Sequence, residues 1–313
     1  MIKLLLLVPG EVEALAAIEA GTKLVQGLPE PILIDAIAST DCTYDLLKAS
    51  GLISNLTTNK DSVDSLIDQY EDQYDIVYNV SPKREDGVYY GERDKVKKLK
   101  DMERMLGKRI DTEVPSIPYT LFATVTANLE DLVATYYPDT SLSAVDSKPC
   151  IKAKKNDLLR IKRILHSLKD RHGDPIKNRY YCVFAINKDI YEENKSDIDD
   201  LVNILNIPCI LINEYGNIYD SSEILSTIEQ VALVQNEDCV MVFGTDWRAL
   251  LGWVNNKYQT YQLLKSDADG SWLGIRSNRA IACSMERHPI GSLKKSFKSI
   301  VSFGLKDILK EVV

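Results

Sequence analysis

The 313-residue chain has little histidine, no clustered cysteines, no basic surplus and no long apolar run. Each shortage excludes something. Three histidines without ligand spacing, and six cysteines (Cys42, Cys150, Cys182, Cys209, Cys239, Cys283) with no C-x-x-C, disfavour a zinc site. Scattered thiols inside apolar strand-like runs point to a reducing compartment, so a cytoplasmic location is expected. A formal charge of −8 argues against nucleic acid as partner, though not against a basic pocket for one small anion. No run approaches the roughly 18–20 apolar residues of a membrane span, so no transmembrane segment is expected. The apolar start at residues 2–8 has no basic n-region or cleavage site, and no secretory leader is expected. Neither a G-x-G-x-x-G fingerprint nor a P-loop lysine motif is present. Paired metal-binding acids are limited to Asp267-Ala268-Asp269, in a Gly/Ser-flanked stretch that reads as a turn. No cofactor and no metal are expected.

What is present is a strand–helix rhythm. Residues 3–8 form an apolar run, broken by Pro9-Gly10. Val12, Leu15, Ala16, Ile18 and Leu24 then recur at helical spacing. Strands are predicted at 31–35 and 74–80, with helices at 44–50, 61–70 and 93–106. Residues 81–91 read as a loop. Prolines 115, 118, 138 and 149 punctuate a less regular stretch, and 139–149 reads as a linker. The second half alternates helix 158–168, strand 180–186, helix 197–205, strand 208–213, helix 224–234, strand 239–243, helix 247–255 and strand 260–265. One or two amphipathic helices close the chain. Strands alternating with helices imply parallel crossovers. The expected fold class is α/β, with two Rossmann-like domains, 1–145 and 146–313.

Three strand-to-helix junctions carry candidate chemistry. At the first, Gly10 lets backbone approach a ligand, Val12 flanks it, and Glu11 is placed to act as a general base. Glu11 also reads simply as an acid favoured by the helix dipole. At the second, Gly244 permits close approach, Thr245 or Asp246 caps a helix, Trp247 is offered for base stacking and Arg248 for a phosphate. Plain capping, with Trp247 in the core, reads equally well. At the third, Lys188 after strand 180–186 could hold a diphosphate as a point charge, or be a solvated loop lysine. The charged run 94–109 reads as a solvated helix face, His288 as a surface residue, and Trp272 as packing under a turn.

The order of these pieces resembles the heptosyltransferase-type glycosyltransferases of family nine. Gly10-Glu11-Val12 stands where that family has a Gly-Asp pair. Tyr74-Asp75-Ile76-Val77 resembles its tyrosine–aspartate–leucine–valine strand, and Leu106-Gly107-Lys108-Arg109-Ile110 its turn after a helix. The turn Gly244-Thr245-Asp246-Trp247-Arg248 occupies the slot of its Asp-Thr-Gly-x-x-His motif, without the histidine. The segment from Cys283 to Ile308 resembles its closing segment. The resemblance implies a GT-B architecture: two Rossmann-like domains facing a cleft, with a final helix crossing back to the first domain. It implies metal-independent sugar transfer from a nucleotide-sugar donor, held by the C-terminal half, to a glycan or other hydroxyl acceptor on the N-terminal half. Glu11 would be the base, and Lys188, Arg248 and the helix start at Thr245 would stabilise the leaving diphosphate. The alternative is an inactive descendant that docks a protein partner, a reading that the missing histidine favours.

Overall fold

The structure, a computed structural model, describes residues 1–80, 118–170, 173–205, 207–255, 259–264 and 280–284. The loop 81–91, the helix 93–106, the turn at 106–110, Trp272, Asp267-Ala268-Asp269, His288 and the closing helix all lie outside the described residues. The chain divides into two compact units, Met1–Ile151 and Lys152–Val313.

In the first unit, β1 (Ile2–Val8) is buried everywhere but Lys3. It is followed by α1 (Glu11–Gly27), whose first turn carries Glu11 and Glu13, as the helix dipole favours. The alanines of α1 at 14, 16, 17 and 20 are fully buried and present only a methyl each. β2 (Ile32–Ala38) leads into α2 (Asp41–Ser50), which Thr40 caps by accepting from the Thr43 N–H and Gly51 ends at φ +68°. β3 (Leu56–Thr58), α3 (Val63–Tyr70) and β4 (Ile76–Asn79) follow. The order β3-β2-β1-β4 is parallel throughout.

Residues 118–133, expected to be irregular, form a sixteen-residue helix, α4 (Pro118–Val133). Pro118 opens it, and the first helical position is where a missing N–H does no harm.

The second unit runs α5 (Lys155–Ser167), β5 (Tyr181–Ala185), α6 (Lys188–Glu193), α7 (Lys195–Leu205), β6 (Cys209–Ile212), α8 (Thr227–Gln235), β7 (Cys239–Gly244), α9 (Arg248–Val254), β8 (Gln259–Leu264) and β9 (Ala280–Ser284). Its sheet order is β6-β5-β7-β8-β9, again all parallel. Every residue of β5 and β7 is buried. Their Phe184 and Phe243 rings stack with centroids 4.2 Å apart, and the Tyr181 hydroxyl donates to the Leu233 carbonyl at 2.7 Å.

Both orders contain a point where successive connections leave in opposite directions. In the first sheet it lies between β1 and β4, in the second between β5 and β7. Ligands of open α/β sheets bind outside the strand carboxyl ends at such points.

Candidate functional site

At the first switch point, β1 ends on Val8 and α1 begins at Glu11. Gly10 is the N-cap in extended geometry, and a Cβ there would meet only the movable end of the Glu13 side chain. Val12 is 9% exposed and belongs to the core. Glu11 is half-buried, and its Oε1 accepts from the Thr40 hydroxyl at 3.0 Å. That bond spans the ends of β1 and β2 and orients the carboxylate at the sheet edge.

One buried acid of this unit has a structural task. Asp35, inside β2, accepts from the Asn55 backbone and side-chain amides and from the Tyr74 hydroxyl at 2.8 Å. It ties β2 to the entries of β3 and β4. Burial, then the Asp35 carboxylate, pushes the Tyr74 hydroxyl up to about 12.

At the second switch point, Thr245 and Asn187 interlock. The Thr245 hydroxyl donates to Asn187 Oδ1 at 2.9 Å and accepts from the Asn187 N–H at 3.2 Å, while the Thr245 N–H donates to the Ala185 carbonyl. Gly244 is needed by the turn itself, since a Cβ there would meet the Ala249 nitrogen at 2.8 Å.

Arg248 was expected to face a phosphate. It is only 2% exposed, and its guanidinium is committed inside the protein. Nε donates to Asp246 Oδ1 at 2.8 Å, one terminal nitrogen to Asp246 Oδ2 at 2.5 Å and to Asn187 Oδ1 at 3.5 Å, and the other to the Asn213 carbonyl. Arg248 therefore binds together the loops that follow β5, β6 and β7. Asp246 in turn holds the Arg248 backbone N–H at 3.0 Å. Trp247, offered for base stacking, is 8% exposed and packed.

Lys188 opens the short helix α6 and is exposed, its ammonium 3.7 Å from Glu192. Its backbone N–H donates to the Glu214 carboxylate at 2.7 Å. The thread through Asn213 and Glu214 was invisible in the sequence: Asn213 and Arg248 are 35 positions apart. The only local hint was a polar Asn-Glu-Tyr-Gly-Asn turn after an apolar strand.

A pocket of about 860 Å³ lies farther out, beside β6, with Asp170, Arg179, Tyr191, Asp199 and Tyr219 in its wall. Asn187, Thr245 and Arg248 do not line it. Arg179 and Asp170 pair at 2.6 Å. The Tyr191 and Tyr219 rings tilt together at 4.5 Å. Burial, then the nearby Glu214 carboxylate, pushes the Tyr219 hydroxyl up to about 12. Among the described residues, no group of histidine, cysteine, aspartate and glutamate is arranged to hold a metal ion. No helix among them is long and apolar enough to cross a membrane.

No protein-family model matches the chain, and no curated relative matches it in sequence. Solved structures do match it in shape. A family 9 glycosyl transferase from Veillonella parvula shares 12% identity at a TM-score of 0.54, over 94% of this chain and 89% of that one. The E. coli heptosyltransferase WaaC with ADP-2-deoxy-2-fluoro heptose shares 10% at 0.51, over 95% and 99%. The same enzyme with ADP shares 11% at 0.51, over 95% and 97%. The fold is that of the GT-B glycosyltransferases. At these identities the likeness speaks for the GT-B fold alone. The two switch points have to speak for the chemistry.

Proposed function

We propose that the chain transfers a sugar from a nucleotide-sugar donor to an acceptor hydroxyl, with the donor on the second unit and the acceptor on the first. The observation that carries this reading is the pair of switch points, each furnished with one chemically suitable residue. Glu11, held by the Thr40 hydroxyl, offers a carboxylate at the first. Lys188 offers an exposed ammonium beside the interlocked Asn187–Thr245 turn at the second. The WaaC structure solved with ADP-2-deoxy-2-fluoro heptose adds support through its shared fold.

In the proposed reaction Glu11 takes the proton of the acceptor hydroxyl. That oxygen bonds to the anomeric carbon of the donor sugar as the bond from that carbon to the diphosphate oxygen breaks. The nucleoside diphosphate leaves with the bonding electrons. Lys188 stabilises its charge, so no metal ion is assigned a role. Arg248 acts as a positioning residue that holds the Thr245–Asp246 turn against Asn187 and Asn213. The cysteines Cys42, Cys150, Cys182, Cys209 and Cys239, none of them in a C-x-x-C pair, suit a cytoplasmic location for this chemistry.

The test pairs binding with turnover. Glu11→Gln is expected to leave nucleoside diphosphate affinity unchanged and to abolish sugar transfer, assayed as nucleoside diphosphate released from a panel of sugar nucleotides with candidate acceptors. Transfer that survives Glu11→Gln at the wild-type rate removes Glu11 from the mechanism.

A further inference from the structure

Tyr215 stands in the turn after β6 with 71% of its surface exposed. An aromatic ring on a loose loop would carry no argument, but this turn is held from several sides. Asn213 Oδ1 accepts from the Tyr215 N–H at 2.9 Å and from the Asn217 N–H at 3.0 Å. The Asn213 N–H donates to the Asn217 carbonyl at 3.0 Å. Gly216 adopts φ +82°, and a Cβ on it would strike the Leu225 carbonyl oxygen at 2.1 Å. Only glycine fits there.

The two residues before Tyr215 are also tied to the second switch point. The Asn213 carbonyl accepts from the Arg248 guanidinium, and the Glu214 carboxylate accepts from the Lys188 N–H at 2.7 Å. The backbone of Tyr215 is thus fixed beside the loops assigned to the diphosphate, while its ring is left in solvent. Trp247 cannot offer a face, being 8% exposed.

We propose that Tyr215 is the stacking platform for the nucleobase of the donor, a role that rests on the nucleotide-sugar reading above. Every nucleobase has a π-face, so stacking on one ring adds affinity for nucleotides as a class and discriminates little among bases. The chemistry that distinguishes Tyr215 from the lysine at 188 is therefore base against phosphate.

The experiment compares ADP, UDP and inorganic pyrophosphate by isothermal titration on the full chain. Wild-type protein is expected to bind both nucleotides more tightly than pyrophosphate. Tyr215→Ala is expected to weaken ADP and UDP by roughly tenfold, within the range reported for loss of one base–aromatic stack, and to leave pyrophosphate affinity unchanged. Tyr215→Phe, which keeps the ring and loses the hydroxyl, should bind all three as wild type does. Nucleotide affinity unchanged in Tyr215→Ala overturns the assignment, as does an equal loss of pyrophosphate. Failure of the wild type to bind any nucleotide overturns the nucleotide-sugar reading itself, and Tyr215 with it.

Discussion

Arg248 shows why residue type and position are not enough to assign a role. A strand-end arginine in a glycine-bearing turn reads as a phosphate ligand, yet its donors meet Asp246, Asn187 and Asn213. Burying a guanidinium is tolerable only when it is paired, and three loops supply the partners. Arg248→Ala leaves the Asp246 carboxylate, whose side chain is 18% exposed, without its counter-ion. A stability loss of about 3–5 kcal/mol is expected, the scale for removing one member of a buried pair, read as a shift of the urea unfolding midpoint. A variant as stable as wild type would contradict this role. Glu19 in α1 supplies a pH-dependent case. Burial raises its carboxyl above the ordinary 4.5, while Lys23, 2.8 Å away, pulls it back. The folded state then holds the Glu19 proton more tightly than the unfolded chain does. This contribution is fully present below 4.5 and is lost as pH rises through the raised value. Glu19→Gln should flatten the fall in stability over that window, measured as urea midpoints from pH 4.5 upward. An unchanged profile would remove Glu19 as its source.

At the scale of elements, legibility followed burial. β1, β5 and β7 are covered on both faces, and a strand so placed must be a continuous apolar run, which is what the sequence displays. β3 was missed because Leu56–Thr58 is three residues long, with its two threonines exposed. α4 was missed because Pro115 and Pro118 read as punctuation when Pro118 in fact opens the helix. β9 (Ala280–Ser284) gave no recognised signal. Helix α8 was expected from Ile224 but starts at Thr227, and the reason is its cap. The Ser226 hydroxyl accepts from the Glu229 N–H at 3.3 Å, and the Glu229 carboxylate accepts from the Ser226 N–H at 2.8 Å. Arg160 of α5 adds an ion pair to Glu229 at 2.5 Å, so this cap also joins two helices. Ser226→Ala should cost about 1 kcal/mol, again read from the unfolding midpoint. Ser226→Thr, which keeps the hydroxyl, should cost less; equal losses would deny the cap its role.

For the whole molecule, the α/β class and the two parallel sheets were legible in the alternation of strands and helices. The candidate site was legible only in part. Glu11 and Lys188 could be picked out because each follows a buried strand directly, whereas Asn213, Glu214 and Tyr215 acquire their place through bonds to residues far along the chain. The split between Ile151 and Lys152 lies a little beyond the expected boundary after residue 145, and the proline-marked stretch 139–149 remains our proposed linker. We propose that the carboxyl edge of β5 and β7 receives a nucleoside diphosphate. Isothermal titration of ADP and UDP into the wild-type protein and into Lys188→Ala tests it most directly. The expected result is saturable binding at one site, weakened by about 1.5–3 kcal/mol in the variant, the range for a hydrogen bond to a charged group. Absence of saturable binding to the wild type, or identical affinity in Lys188→Ala, would contradict it.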